Sequence, residues 1–203
     1  MTAVDFLDLL DWKRKIFAAY ARVRDSEDPA EAWRGWRQIR DEVFATHPQS
    51  PLLQTERGAF RGLTYFDYDP AYRVIAEVEE AEAERFEIGT SGGGSFAFTR
   101  FGSAKFELRD TSLRLDLYWL EGYGGGIFLP FRDATAGRAT YGAGRYLLDT
   151  VKGADLGADA DGRLVLDFNF AYNPSCAYDP RWVCPLAPPP NRLEVEIRAG
   201  ERY

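Results

Sequence analysis

The chain has 203 residues and a mass of 23.0 kDa, with 45% hydrophobic and 15% aromatic residues. That length and apolar content support one substantial core and exclude a disordered chain. A net charge of −7 and a pI near 4.9 exclude the basic stripe that a duplex phosphate backbone requires, so no nucleic-acid partner is expected.

No segment approaches the ~18 consecutive apolar residues of a membrane span. The opening "MTAVDFLDLLDWKRK" carries acids where a signal peptide carries bases. A soluble, cytoplasmic protein without a membrane partner is the expectation. The triplet Lys13-Arg14-Lys15 has the spacing of a solvated helix face. Lys13, Lys15, Lys105 and Lys152 are the only lysines among 25 basic residues, a compositional bias with little mechanistic content. His47 is the single histidine, which excludes a multi-histidine metal site. Acid–base chemistry then falls to Asp, Glu, Tyr or Cys with shifted pKa values, and neither a metal nor a cofactor is expected.

Residues 3–24 show apolar positions (Phe6, Leu9, Leu10, Ile16, Phe17, Tyr20) at three- and four-residue intervals, which predicts a helix. "SEDPAEAW" predicts the next start, with Asp28 as N-cap, Pro29 in the first turn and Glu31 placed for a capping box. Trp33, Trp36, Ile39, Val43 and Phe44 form one apolar stripe that ends before Pro48, and core packing accounts for its Trp pair. Residues 1–47 are therefore expected to be a helical hairpin, and 48–203 an antiparallel β domain that completes the same structural unit.

After Pro51 the period changes to two. Leu113, Leu115, Leu117 and Trp119 alternate with polar residues, as do Leu193, Val195 and Ile197. Further strands are expected near 72–79, 84–89, 96–101, 104–109, 126–132, 139–148 and 163–172. The fold class is thus α+β, mainly antiparallel β: a curled sheet or barrel of about nine short strands with the hairpin packed outside. A strand–helix–strand rhythm is missing, which argues against a Rossmann-type fold.

Three segments carry candidate chemistry. In 163–172 one side (Leu164, Leu166, Phe168, Phe170, Tyr172) reads as core, while Asp167 and Asn169 fall on the other. Asp and Asn are depleted in strands, so two in one strand suggest a specific partner, although solvent is an equal reading. "PFRDATAGRATYGAGRYL" (130–147) combines turn glycines with Arg132, Arg138, Arg145, Tyr141 and Tyr146. A guanidinium fork suits a carboxylate or phosphate, and equally suits pairing with Asp133 or Asp167. Cys176 and Cys184 have seven residues between them. They read as buried thiols, as a disulfide, as weak zinc ligands, or as a nucleophile at Cys176 activated by His47.

"PFRDATAGRATYGAGRYL" and "DFNFAYNPSCAYDPRWVCPLAPPPNRL", with "HPQSPL", "FRGLTYFDYDP", "GGSFAFTRFG" and the closing "AGER", resemble the bacterial and archaeal family known as domain of unknown function 1684. The likeness runs from about residue 25 onward, and many members carry a longer N-terminal part. Membership implies a mostly β fold and no established activity or cofactor. Its signature positions here would include Asp133, Tyr141, Arg145, Tyr146, Asp167, Asn169, Tyr172, Asn173, Cys176, Cys184, Asn191 and Glu201.

Three functions follow from the residues. The leading one is a small-molecule site for a carboxylate- or phosphate-bearing anion, with Arg138 and Arg145 binding the acid. In it Asp167, Asn169 and Asn173 orient the ligand, and Tyr141, Tyr146 and Tyr172 form apolar walls. The second is an enzyme, a hydrolase using Cys176 or an acid–base catalyst using Asp133, Asp167 or Glu201. The third is a structural or partner-binding module in which the polar signature residues form buried networks. A homodimer is compatible with the exposed edges of such a sheet.

Overall fold

The computed structural model describes residues 2–203. Helix α1 spans Ala3–Asp25 and starts in a capping box: Thr2 Oγ1 accepts from Asp5 N, and Asp5 Oδ2 accepts from Thr2 N. Helix α2 spans Pro29–Thr46, and the Asp28 carboxylate accepts from Ala30 N and Glu31 N at 2.9 and 3.0 Å. The capping box expected there with Glu31 is replaced by another bond. Asp28 N donates to Ser26 Oγ at 3.2 Å, which leaves Glu31 no N–H to receive.

Six strands form one antiparallel sheet: β1 Arg73–Gly89, β2 Ser95–Leu108, β3 Thr111–Leu120, β4 Ile127–Phe131, β5 Arg145–Asp149 and β6 Leu164–Asp167. Their order is β5-β4-β3-β2-β1-β6. The two edges nearly meet, because Tyr146 N donates to Tyr172 O (2.9 Å) and Tyr172 N to Tyr146 O (3.0 Å). The sheet is therefore an almost closed barrel. The hairpin packs on it through α2: Trp33 Nε1 donates to Asn169 O at 2.8 Å, and the Trp36 and Phe170 rings lie 5.1 Å apart.

The strand count differs from the expected nine for identifiable reasons. The segments 72–79 and 84–89 are one strand with a register shift between Glu80 and Glu84, and 96–101 and 104–109 are one strand shifted between Arg100 and Gly102. A bulge inserts an extra residue and turns the following side chains to the other face, so each long strand reads as two short ones. At Gly102 the partner strand comes so close that an added Cβ would lie 2.7 Å from Glu79 O. Residues 139–144 are loop, and β5 begins only at Arg145.

The predicted strand at 192–198 does not form. Leu193 and Ile197 do point inward, and Leu193 N donates to Arg132 O (2.8 Å) while Val195 O accepts from Ala134 N (3.0 Å), but the pairing ends there: Ile197 N donates to Asp133 Oδ2 (2.7 Å) and Arg198 N to Tyr72 Oη (3.3 Å). The predicted strand at 163–172 stops at Asp167, whose Oδ1 accepts from Asn169 N at 3.0 Å and caps a 3₁₀ turn over Phe168–Phe170. Alternation fails beyond that point, and Phe168, Asn169 and Phe170 are all buried.

The bulges also divide the apolar side chains into two clusters. The larger lies between sheet and helices and includes Trp36, Leu115, Leu117, Phe131 and Phe168. The smaller, Ile88, Phe98, Tyr118, Phe128 and Tyr146, lies on the distal half of β1–β5.

Candidate functional site

The smaller cluster floors a cleft. Phe96 and Phe98 of β2, Leu120 of β3 and Phe128 of β4 supply its apolar wall. Asp149, Val151, Lys152, Val183 and Pro185 complete the lining, and the volume of this open cleft is about 160 Å³. Phe98 and Phe128 stack at 5.1 Å, and Phe128 meets Tyr146 edge-on at 4.8 Å. The Tyr146 hydroxyl donates to the Pro185 carbonyl and so fixes the 183–185 wall to β5.

Lys152 is the one cation lining this cleft among the described residues. It follows β5 in a 3₁₀ turn over Thr150–Lys152, which ends at Gly153 with φ +90°. An added Cβ on Gly153 would sit 2.7 Å from the Phe17 ring, so glycine lets α1 lie close against the lysine turn. Lys152 Nζ is 3.2 Å from Asp149 Oδ2 and 5.8 Å from the Tyr146 ring centre. The Lys152 side chain is 57% exposed; the hydration it does lose works against its charge, but the Asp149 carboxylate outweighs that and raises its pKa above the ordinary lysine value.

Behind Lys152 lies a second hollow of about 60 Å³, walled by Tyr20, Arg40, Tyr146, Tyr172 and Asn173 among others. The buried Tyr20 hydroxyl has no hydrogen-bond partner among the described residues. Arg40 Nη2 donates to Glu201 Oε2 at 2.7 Å, and Asn173 N donates to the same oxygen at 3.1 Å. Burial pushes Glu201 up to about 7, against the lowering pull of Arg40.

The sequence-predicted residues divide between this region and the scaffold. Tyr146, Tyr172 and Asn173 converge on the second hollow, and Tyr141 sits 3.9 Å from Cys176 Sγ. Arg145 and Arg138 do not meet. Arg145 is enclosed and binds the carbonyls of Ile197, Ala199 and Glu201 together with Asp133. Arg138 lies at the surface and pairs with Glu196 at 2.9 Å. The pairing of Arg145 with an acid therefore turns inward, to the chain's own tail, and not toward a cleft.

Asp167 and Asn169 form their own local network. Asn169 Nδ2 donates to Asp167 Oδ1 and Asp69 O, and its Oδ1 accepts from Asp69 N. Asp167 Oδ2 has no hydrogen-bond partner among the described residues, and burial raises this carboxyl to about 6. It lines a separate hollow of about 250 Å³ with Arg24 and Arg73.

The catalytic candidates are also separated. His47 Nε2 lies 3.2 Å from Asp11, and its Nδ1 accepts from Gln49 N, so both ring nitrogens are engaged away from Cys176. Asp133 accepts from Thr135 Oγ1 and Ile197 N and holds the tail in place. Cys176 and Cys184 are free thiols, and no group of three or more His, Cys, Asp or Glu placed to hold a metal occurs among the described residues.

Sequence reasoning missed Phe96, Phe98, Phe128, Asp149 and Lys152. The available signal was the scarcity of lysine itself: in a chain whose other cations are almost all Arg, Lys152 stands apart.

The region from 58 to 202 matches the family model described as "Protein of unknown function (DUF1684)". The chain belongs to the DUF1684 family. The match contains the entire aromatic cleft and leaves α1 and α2 outside it. The solution NMR structure of an uncharacterized protein from Haloarcula marismortui is similar at 35% identity and a TM-score of 0.62, covering 89% of this chain and 97% of that one. No curated protein matches. No helix among the described residues is long and apolar enough to cross a membrane.

Proposed function

We propose that this DUF1684 protein binds a small anion with a flat apolar body, a monocyclic carboxylate or phosphate ester, in the aromatic cleft beside Lys152. The observation that carries this reading is an apolar cavity of about 160 Å³ with a single lysine on its wall. Typical small-molecule sites combine apolar walls with a few convergent polar groups, in volumes of ~300–1,000 Å³. This cleft is smaller, and a cavity of ~150 Å³ accommodates benzene. The ring would pack on Phe96, Phe98 and Phe128, and the acid would take Lys152 Nζ from Asp149.

The reading retains the expected ligand class but assigns the anion to Lys152 instead of Arg138 and Arg145. It requires no metal or cofactor, and it suits a cytoplasmic setting, where unbonded cysteines persist. Thermal denaturation with benzoate, phenyl phosphate and the neutral analogue benzyl alcohol tests it. The two acids should raise the melting temperature more than the alcohol, and that difference should vanish in Lys152→Met. Equal effects of acid and alcohol would remove the assignment.

The outer face of α1 favours a second reading, a homodimer. Phe6, Leu10 and Phe17, which share one face at four- and seven-residue spacing, are 60%, 42% and 44% exposed there, and contiguous apolar surface marks interaction sites. Sedimentation velocity decides it, since a monomer at every concentration would discard the dimer.

A further inference from the structure

We propose that Cys176 and Cys184 form a reversible two-electron dithiol/disulfide site that reacts with hydroperoxides, with Cys176 as the attacking thiol and Cys184 as the resolving one. The inference is independent of what the aromatic cleft binds.

The geometry brings the pair together. Cys176 N donates to Cys184 Sγ at 3.4 Å, which sets the second sulfur against the backbone of the first cysteine. Cys176 is half-buried and reachable from solvent, whereas Cys184 is 3% exposed and held by its N–H on Ser91 Oγ at 3.1 Å. Pro180 restricts the segment that joins them, and Pro174 and Pro185 flank it. Tyr141 Oη lies 3.9 Å from Cys176 Sγ.

The roles follow from the surroundings. The neighbouring Cys184 thiol and the Tyr141 hydroxyl lower the Cys176 pKa to about 6, against the raising effect of burial. The Cys176 thiolate beside it, together with burial, raises Cys184. A thiolate that is accessible and next to a second thiol is the arrangement that redox-sensitive cysteines share.

In the first step Cys176 thiolate attacks the terminal oxygen of R–O–OH. An S–O bond forms, the O–O bond breaks, and the alkoxide leaves as alcohol on taking a proton from water. Cys184 then attacks the Cys176 sulfenic sulfur. An S–S bond forms, the S–O bond breaks, and hydroxide leaves as water with the Cys184 proton. The two thiols lose two electrons in total and the peroxide gains them. An external thiol returns the pair to the dithiol by exchange.

Intact-mass analysis of the full chain after hydrogen peroxide, followed by alkylation under denaturing conditions, tests the site. The expected result is a monomer lighter by two hydrogens, with neither cysteine alkylated and both alkylated again after dithiothreitol. In Cys184→Ser, dimedone should add to Cys176 after peroxide, and Cys176→Ser should show no two-hydrogen loss. Before oxidation, iodoacetamide labelling of Cys176 should have its midpoint near pH 6, in place of the ~8.5 of an ordinary thiol. The wild-type measurement needs no variant to fold. Oxygen addition without the two-hydrogen loss, disulfide-linked dimers only, or thiols that stay fully alkylatable would each overturn the proposal.

Discussion

Arg145 and Asp133 pair at 3.4 Å with side chains only 1% and 2% exposed, and together they bind the backbone of the C-terminal tail. Arg145 donates to Ile197 O, Ala199 O and Glu201 O, while Asp133 accepts from Ile197 N. Two side chains thereby perform the pairing that a neighbouring strand would otherwise supply. Gly200 permits the docking: its φ is +77°, and an added Cβ would lie 2.6 Å from Ala171 O.

Arg145→Ala leaves a buried carboxylate unpaired and three carbonyls without their donor. The expected loss is ~3–5 kcal/mol of stability. Arg138→Ala removes a surface pair with Glu196, worth ~0–1 kcal/mol, and an exposed bond to Ala134 O that water can replace. Urea denaturation of the two variants side by side checks the contrast, and equal losses would contradict the placement of Arg145.

Asn191 imitates a strand in the same way. Its Nδ2 donates to Asp116 O (2.9 Å) and Pro130 O (2.8 Å), and its Oδ1 accepts from Asp116 N (2.8 Å). It fills the gap where β4 has diverged from β3, since their pairing covers only Tyr118–Phe128 and Trp119–Ile127. Asn191→Ala should cost at least ~2 kcal/mol, because buried backbone groups lose their partners. Amide exchange at Asp116 should accelerate selectively.

These residues show what was legible in the sequence. Helix boundaries were, because α1 and α2 announce themselves by period and by the cap at Asp28. The β content was too, but a bulge is invisible to a period-two pattern, so the long β1 and β2 each read as two strands. The tail at 192–198 alternates like a strand because its side chains do face in and out, but only Leu193 and Val195 bond the backbone of 132–134, and from Ile197 on its N–H groups go to side chains distant in the chain. Polar side chains such as Arg145, Asn169 and Asn191 drew attention as ligand contacts. In a chain that binds its own backbone with side chains, the same residue types are called for. The cleft is built from residues on five separate segments, and only the barrel brings them together.

Asp167 offers a pH signature. Its carboxyl rises from 3.8 to about 6 on folding, because burial disfavours the charge more than the Asn169 hydrogen bonds stabilise it. A raised pKa favours the protonated native state, so the full stability is present below pH 3.8 and falls as pH rises through 6. At ~1.4 kcal/mol per unit the penalty above that window is roughly 3 kcal/mol. Asp167→Asn keeps the acceptor for Asn169 and removes the charge. The variant should be more stable than wild type at pH 8 by up to ~3 kcal/mol, and the gap should close below pH 3.8. Denaturation midpoints across pH for both proteins check the sign.

The proposed ligand cleft is tested most directly by amide and methyl NMR titration of the wild type and Lys152→Met with benzoate. Binding predicts saturable shifts confined to residues around Phe96, Leu120, Phe128, Val151 and Val183, at millimolar benzoate or below, and much weaker binding in the variant. Shifts that never saturate, that cluster elsewhere, or that are equal in the two proteins would contradict an anion site at Lys152.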